Sequence, residues 1–214
     1  MKKSLKILAI VASLVLVLTL LTGCGNNTTN EAENKTNQTA KEQIARGVID
    51  ENNVYTSEYA DITFKLPEGW AFSTDEQIAN MMSVGVEALN DEKDNLEKIL
   101  EQTALYDMVA NDQTTGASVM VMFEKSLMNV NEEYYLNNVK KGLETVTNMG
   151  YEVSDEITKE KVGGKEYSSI TAKVPAYNMV QKYYVEKKGD YFIGMIITYV
   201  EGVNDLNSIL ANFQ

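Results

Sequence analysis

"QKYYVEKKGDYFIGMIIT", residues 181–198, decides the fold. Two runs rich in tyrosine, valine, isoleucine and phenylalanine flank Gly189 and Asp190, a tight hairpin signal. The spacing predicts strands over about 177–187 and 190–200. The second of them, "YFIGMIITYV", is apolar on both faces. "ASVMVMFE" at 117–124 reads the same way, with Val119, Val121 and Phe123 on one face and Met120 and Met122 on the other. Strands apolar on both sides belong to the middle of a sheet and need cover on both sides.

Working outward, short strands are expected at Val54-Tyr55 and 62–66, followed by a Pro67-Glu68-Gly69 turn and then Trp70 and Phe72. Ser73 with Glu76 reads as a capping box. It opens a helix over about 74–89 with Ile78, Met82 and Val86 on one face. Asn90-Asp91 interrupts, and a second piece carrying Leu96, Ile99 and Leu100 runs to about 102. Strands are predicted at 104–111 and 117–125, and a helix from Asn131 to about 148 with Leu136, Val139, Leu143 and Val146 as its stripe, ended by Gly150. Strands at 151–159 and 165–173 meet at a Gly163-Gly164 turn, and residues 203–213 form a closing helix. The fold class expected is α+β: a three-layer α/β/α sandwich around a mostly antiparallel sheet, over residues 48–214. Roughly 165 residues can bury a full core without staples.

The first 23 residues are of another kind. Lys2, Lys3 and Lys6 precede an apolar run from Ile7 to Leu21. That run is shorter than the ~20 residues a helix needs to span hydrocarbon, and it fits a secretory leader. Leu21, Thr22, Gly23 and then Cys24 resemble the lipobox of bacterial lipoproteins. Small residues before the cysteine let a signal peptidase grip extended backbone, and the sulfur takes diacylglycerol as a thioether. Two acyl chains, at ~0.8 kcal/mol per buried CH₂, hold a protein firmly on a bilayer. Residues 24–47 then supply the lipidated cysteine and a polar tether rich in Asn, Thr, Glu, Lys and Gln. As a coil, such a tether reaches roughly 25–30 Å. The expected location is the extracytoplasmic face of the cell membrane, in a Gram-positive source given the Asn- and Lys-rich usage.

Charge and composition narrow the chemistry. The net charge is −12, and removing the leader, which carries three lysines and no acid, takes the rest of the chain to −15. Such a surface repels nucleic acid, which is not expected as a partner. The chain has no histidine and one cysteine. The commonest metal ligand and general base are therefore missing, and so is any internal disulfide.

The domain resembles the PsbP-like family over about residues 50–213. The resemblance is carried by "YADITFKLPEGW" at 59–70, "GGKEY" at 163–167, the stretch at 181–198 and the terminal "LNSILANF". It implies a non-catalytic binding or assembly role. Metal bound by some relatives is not expected here, since no histidine is present.

Local motifs agree. "VGGKE" lacks the spacing of a phosphate loop and precedes a strand, so it reads as a hairpin turn. "NDEKDNLE" at 90–97 departs from the calcium-loop pattern and reads as a solvated helix start. Trp70, Met81, Met82, Met120 and Met122 read as core. Tyr177, Tyr183, Tyr184 and Tyr191 fall on adjacent expected strands, as sheet packing or as the lining of a ligand cleft. No catalytic residue, cofactor or metal is expected. The sequence thus points to a lipid-anchored, non-catalytic module engaging a membrane or surface protein. The alternative is a carrier of a small apolar or sugar ligand in a cleft between sheet and helix. Replacing Cys24 with Ala is expected to abolish incorporation of labelled palmitate and to release the chain or leave it unprocessed; absence of label from the unaltered chain contradicts the lipobox reading.

Overall fold

The computed structural model describes residues 44–89, 93–126 and 128–214, the side chains of Lys93 and Asp94 excepted. Cys24, Leu21, Thr22, Gly23 and the leader lie outside the described residues, as does the start of the acidic stretch at 90–92. Among the described residues no helix is long and apolar enough to cross a membrane.

The chain forms mostly antiparallel sheet with few helices. Strands β1 (Val48–Ile49), β2 (Val54–Ser57) and β3 (Ile62–Lys65) make a small sheet of their own. The sequence reading did not separate it from the main sheet. Next come β4 (Trp70–Phe72), α1 (Asp75–Met82), a 3-10 turn (Val86–Leu89), α2 (Lys93–Gln102), β5 (Leu105–Asp112) and β6 (Ser118–Lys125). Helix α3 (Glu132–Thr145) leads to β7 (Glu152–Val153), β8 (Thr158–Val162), β9 (Lys165–Val174), β10 (Met179–Lys188), β11 (Tyr191–Val200) and the short α4 (Leu206–Leu210). The main sheet runs β4-β5-β6-β11-β10-β9-β7, with β8 also paired to β9.

The hairpin expected at Gly189 is there. β10 and β11 pair from Met179↔Val200 to Lys188↔Tyr191, and Gly189 turns the chain at φ +58°. β6 and β11 lie side by side in the middle of the sheet, as their two apolar faces require. On β10, Tyr183 and Val185 pack with Leu136, Val139 and Leu143 of α3, together with Ile170, Ala172 and Phe192. Tyr184 points the other way, by the alternation of a strand, into a larger core with Ile193, Met195, Ile197, Tyr55, Phe64 and Phe213. Met82, Met120 and Met122 are buried as expected. Trp70 is only half-buried, because β4 is an edge strand.

Several boundaries moved for local reasons. Ser73 does not cap α1, because its amide is still bound to the sheet, donating to the Val109 carbonyl at 2.8 Å. Thr74 caps instead, in a box with Gln77. The helix expected to reach 89 stops at Ser83, which is left-handed at φ 57°. Gly85 follows, and the chain re-coils only as the 3-10 turn. Asn131 opens α3 by accepting from the Tyr134 amide, but the helix ends at Val146 and not at Gly150. The strand expected over 151–159 is two strands, β7 and β8. Helix α4 starts only after Asp205, leaving Val203 exposed.

The C-terminus closes the small sheet. Lys65 N donates to the Asn212 carbonyl and Gln214 N to the Thr63 carbonyl, each at 3.0 Å, with Phe64 and Phe213 bridged between them. Gly163 and Gly164, both at positive φ, turn β8 into β9 beside this closure. A Cβ on Gly163 would sit 3.1 Å from Gln214 backbone, whereas one on Gly164 would meet nothing. Both glycines carry the cost of a positive φ, about 1 kcal/mol for Ala. Gly163→Ala is therefore expected to lower stability more than Gly164→Ala in urea melts, and deleting Gln214 is expected to narrow the gap. Equal losses contradict the contact.

Candidate functional site

Strand β4 pairs only with residues 110–112 of β5. On that side residues 105–109 have no strand partner, and an open edge exposes unpaired backbone groups. Other groups take the place of a strand. The Val109 carbonyl accepts the Ser73 amide, the Asp107 carbonyl accepts from Arg46 Nη2 at 3.3 Å, and the Tyr106 amide donates to Met82 Sδ at 3.3 Å.

The pairing of β5 with β6 slips at this point. It passes from Tyr106↔Met122 to Met108↔Val121, leaving Asp107 as the extra residue of a bulge. Its side chain is fully buried. The carboxylate accepts from the Gly47 amide at 3.0 and 2.9 Å and from the Tyr55 hydroxyl at 2.5 Å, and Arg46 Nε lies 3.5 Å from it. Burial, and then the neighbouring Asp107, push the Tyr55 hydroxyl well above its usual 10. Arg46 also donates to the Leu89 carbonyl at 3.1 Å and to Asp75 Oδ1 at 2.8 Å. One guanidinium thus joins the bulge, the start of α1 and the end of the 3-10 turn. Gly47 must be glycine here: a Cβ would lie 2.3 Å from the Tyr55 ring and 2.9 Å from the Thr56 carbonyl.

Beside this network is a cleft of about 270 Å³. Arg46, Ser73, Asp75 and Asp107 give it polar walls, and Ile49, Ile78, Met108 and Val109 give it apolar ones. Among the described residues no group of three or more cysteine or acidic side chains is gathered closely enough to hold a metal ion.

The four tyrosines singled out from sequence are not gathered in one place. Tyr177 is not on a strand; it sits exposed in a 3-10 turn (Pro175–Tyr177) at the end of the sheet, because Pro175 cannot continue the ladder. Tyr183 faces α3 and donates to Gln181 Oε1 at 2.9 Å; Tyr151 donates to the same oxygen at 3.1 Å. Tyr184 is on the opposite face, 3.4 Å from Glu160 and edge-on to Tyr167. Tyr191 packs edge-on against Tyr59, with ring centroids 6.2 Å apart. Arg46, Gly47 and Asp107 were not singled out. The available signal was an aspartate inside the otherwise apolar "LYDMV" of β5, since a carboxylate buried there demands partners.

Two further carboxylates titrate in opposite directions. Burial raises Glu124, against the bond from Tyr135 at 2.7 Å. Burial also acts on Glu160, but Lys182 at 2.5 Å, Ser169 at 2.8 Å and Thr158 at 3.1 Å outweigh it and lower its pKa. For Glu124 the native state holds its proton more tightly than the unfolded chain. Stability from this group is therefore full below 4.5 and lost as pH rises through the higher folded value. Glu160 behaves oppositely, its contribution being lost as pH falls through the lowered value. Glu124→Gln keeps an acceptor for Tyr135 and is expected to raise stability at pH 7 by about 0.5–1.5 kcal/mol and to remove the fall in stability above pH 4.5 that Glu124 causes. Urea melts across that pH range check this; an unchanged slope contradicts the assignment.

No protein-family model matches the chain, and no curated protein matches it. Among solved structures it is similar to the solution structure of cyanobacterial PsbP (CyanoP) from Synechocystis sp. PCC 6803, with 11% identity, 83% of this chain and 97% of that chain covered, and a TM-score of 0.46. It is also similar to a crystal structure from Bacteroides thetaiotaomicron VPI-5482, with 8% identity, 79% of this chain and 48% of that chain covered, and a TM-score of 0.37.

Proposed function

We propose that this chain is a lipid-anchored, extracytoplasmic binding or assembly module of the PsbP-like type, held on the membrane through Cys24 and engaging a protein partner. In this reading Leu21, Thr22 and Gly23 direct cleavage before Cys24, and the polar tether spaces the domain from the bilayer. The domain is a three-layer α/β/α sandwich, a reading supported by the two apolar clusters on opposite faces of the main sheet.

The observation that carries a binding role, and not a reactive one, is how Asp107 is held. Two contacts from the Gly47 amide, a tyrosine hydroxyl and a guanidinium surround it. A carboxylate so occupied serves as a fixed acceptor; a general base needs to reach a substrate proton. The cleft it helps to line is smaller than the ~300–1,000 Å³ typical of small-molecule sites, and so suits a side chain of a partner better than a carried ligand. Crosslinking on intact cells followed by mass spectrometry is expected to recover one reproducible membrane or surface protein. Recovery of bound lipid or sugar, with no protein crosslink, contradicts the reading in favour of a carrier.

A further inference from the structure

We propose that the cleft beside Arg46 receives a lysine side chain presented by the protein partner, its ammonium held at Asp75 and Ser73 and its stem lying along Ile49, the exposed apolar residue of the lining. This rests on the binding-module reading and names the chemistry of the partner.

Size is the first argument. A volume of about 270 Å³ holds one long side chain. The walls are of two kinds, apolar from Ile49, Ile78, Met108 and Val109 and polar from Arg46, Ser73, Asp75 and Asp107. That division matches a side chain with an aliphatic stem and a charged head.

Charge is the second. Two carboxylates, Asp75 and Asp107, stand against one guanidinium, Arg46. The first turn of α1 adds roughly half a positive charge, which reduces the negative excess without cancelling it. The whole chain beyond its leader is strongly acidic, so a cationic partner is also drawn in from a distance.

The acceptor pattern is the third. Asp75 Oδ1 is turned to Arg46 at 2.8 Å, while no partner is found for Oδ2 among the described residues and the side chain is 57% exposed. Ser73 Oγ accepts from Asn111 at 3.3 Å and keeps a second lone pair. An arginine fork seeks both oxygens of one carboxylate. With one oxygen already taken, the site suits the compact ammonium of lysine, which is content with single acceptors.

The test is calorimetric titration of the intact chain in detergent with Nα-acetyl-lysine N-methylamide, its norleucine analogue, which lacks the ammonium, and its arginine analogue. Saturable binding of the lysine amide is expected, weakened at least about tenfold for norleucine and for the arginine analogue. Asp75→Asn is expected to weaken it by a similar factor, with Glu166→Gln, an exposed acid outside the cleft, unchanged. Because the norleucine comparison uses the unaltered protein, it does not depend on a variant folding. Absent binding, equal binding of norleucine, tighter binding of arginine, or an unaffected Asp75→Asn each overturns the inference. A partner crosslink that survives in Asp75→Asn overturns it too and leaves the binding-module reading standing.

Discussion

A buried carboxylate is costly unless its lone pairs are met, and the domain is organised around meeting those of Asp107. Removing an ion from water costs several kcal/mol even after relaxation, and stranding one by deleting its partner costs about 3–5 kcal/mol. Here the bulge in β5 turns the side chain inward, and the small sheet brings Tyr55 and the amide of Gly47 to it. Arg46, part-buried, then reaches past it to Asp75 and Leu89. One charge pair therefore fixes four pieces of chain that are distant in sequence. It does so on the side where β5 lacks a strand partner and most needs other groups.

The two ends of the domain are closed by different physics. At the N-terminal side the contacts are ionic and buried, from Ile44 onward. At the C-terminal side they are backbone bonds and a tilted ring pair, with Phe64 and Phe213 at 4.8 Å. Both closures lie on the small sheet, so that sheet is where the first described residues and the last ones meet. The opposite face of the main sheet is covered by α3 alone among the helices of its cluster, with Tyr135 laid against Phe192 at 4.4 Å. The first face is thus a closure made by segments distant in sequence, and the second a simple helix-on-sheet packing.

Much of the architecture could be read in advance because it rests on local patterns. Gly189 and Gly163 announce hairpins, and the two-faced runs of β6 and β11 announce the middle of a sheet. The stripe of α3 follows from its spacing of Leu136, Val139 and Leu143. What escaped was decided by distant contacts. Ser73 fails to cap because Val109, far along the chain, holds its amide. Residues 44–47 looked like tether by composition, yet Ile44 is buried and Arg46 and Gly47 are tied to Asp107. The tyrosines are spread over the fold for a related reason: Tyr183 and Tyr184 are neighbours in sequence, and the pleat sends them to opposite faces. Composition gives no sign of which polar residue will be enclosed by the fold; only Asp107, set inside the apolar "LYDMV" run of β5, hinted at it.

This arrangement makes residues 44–47 part of the fold, and places the candidate cleft beside them. Amide hydrogen exchange at Gly47 in the intact chain tests the central claim most directly. Its N–H points at both Asp107 oxygens, at 3.0 and 2.9 Å. If the network holds the domain together, Gly47 exchanges as slowly as the central strands β6 and β11, through global opening. Exchange at the rate of a fraying terminus, with those strands still protected, would contradict the account.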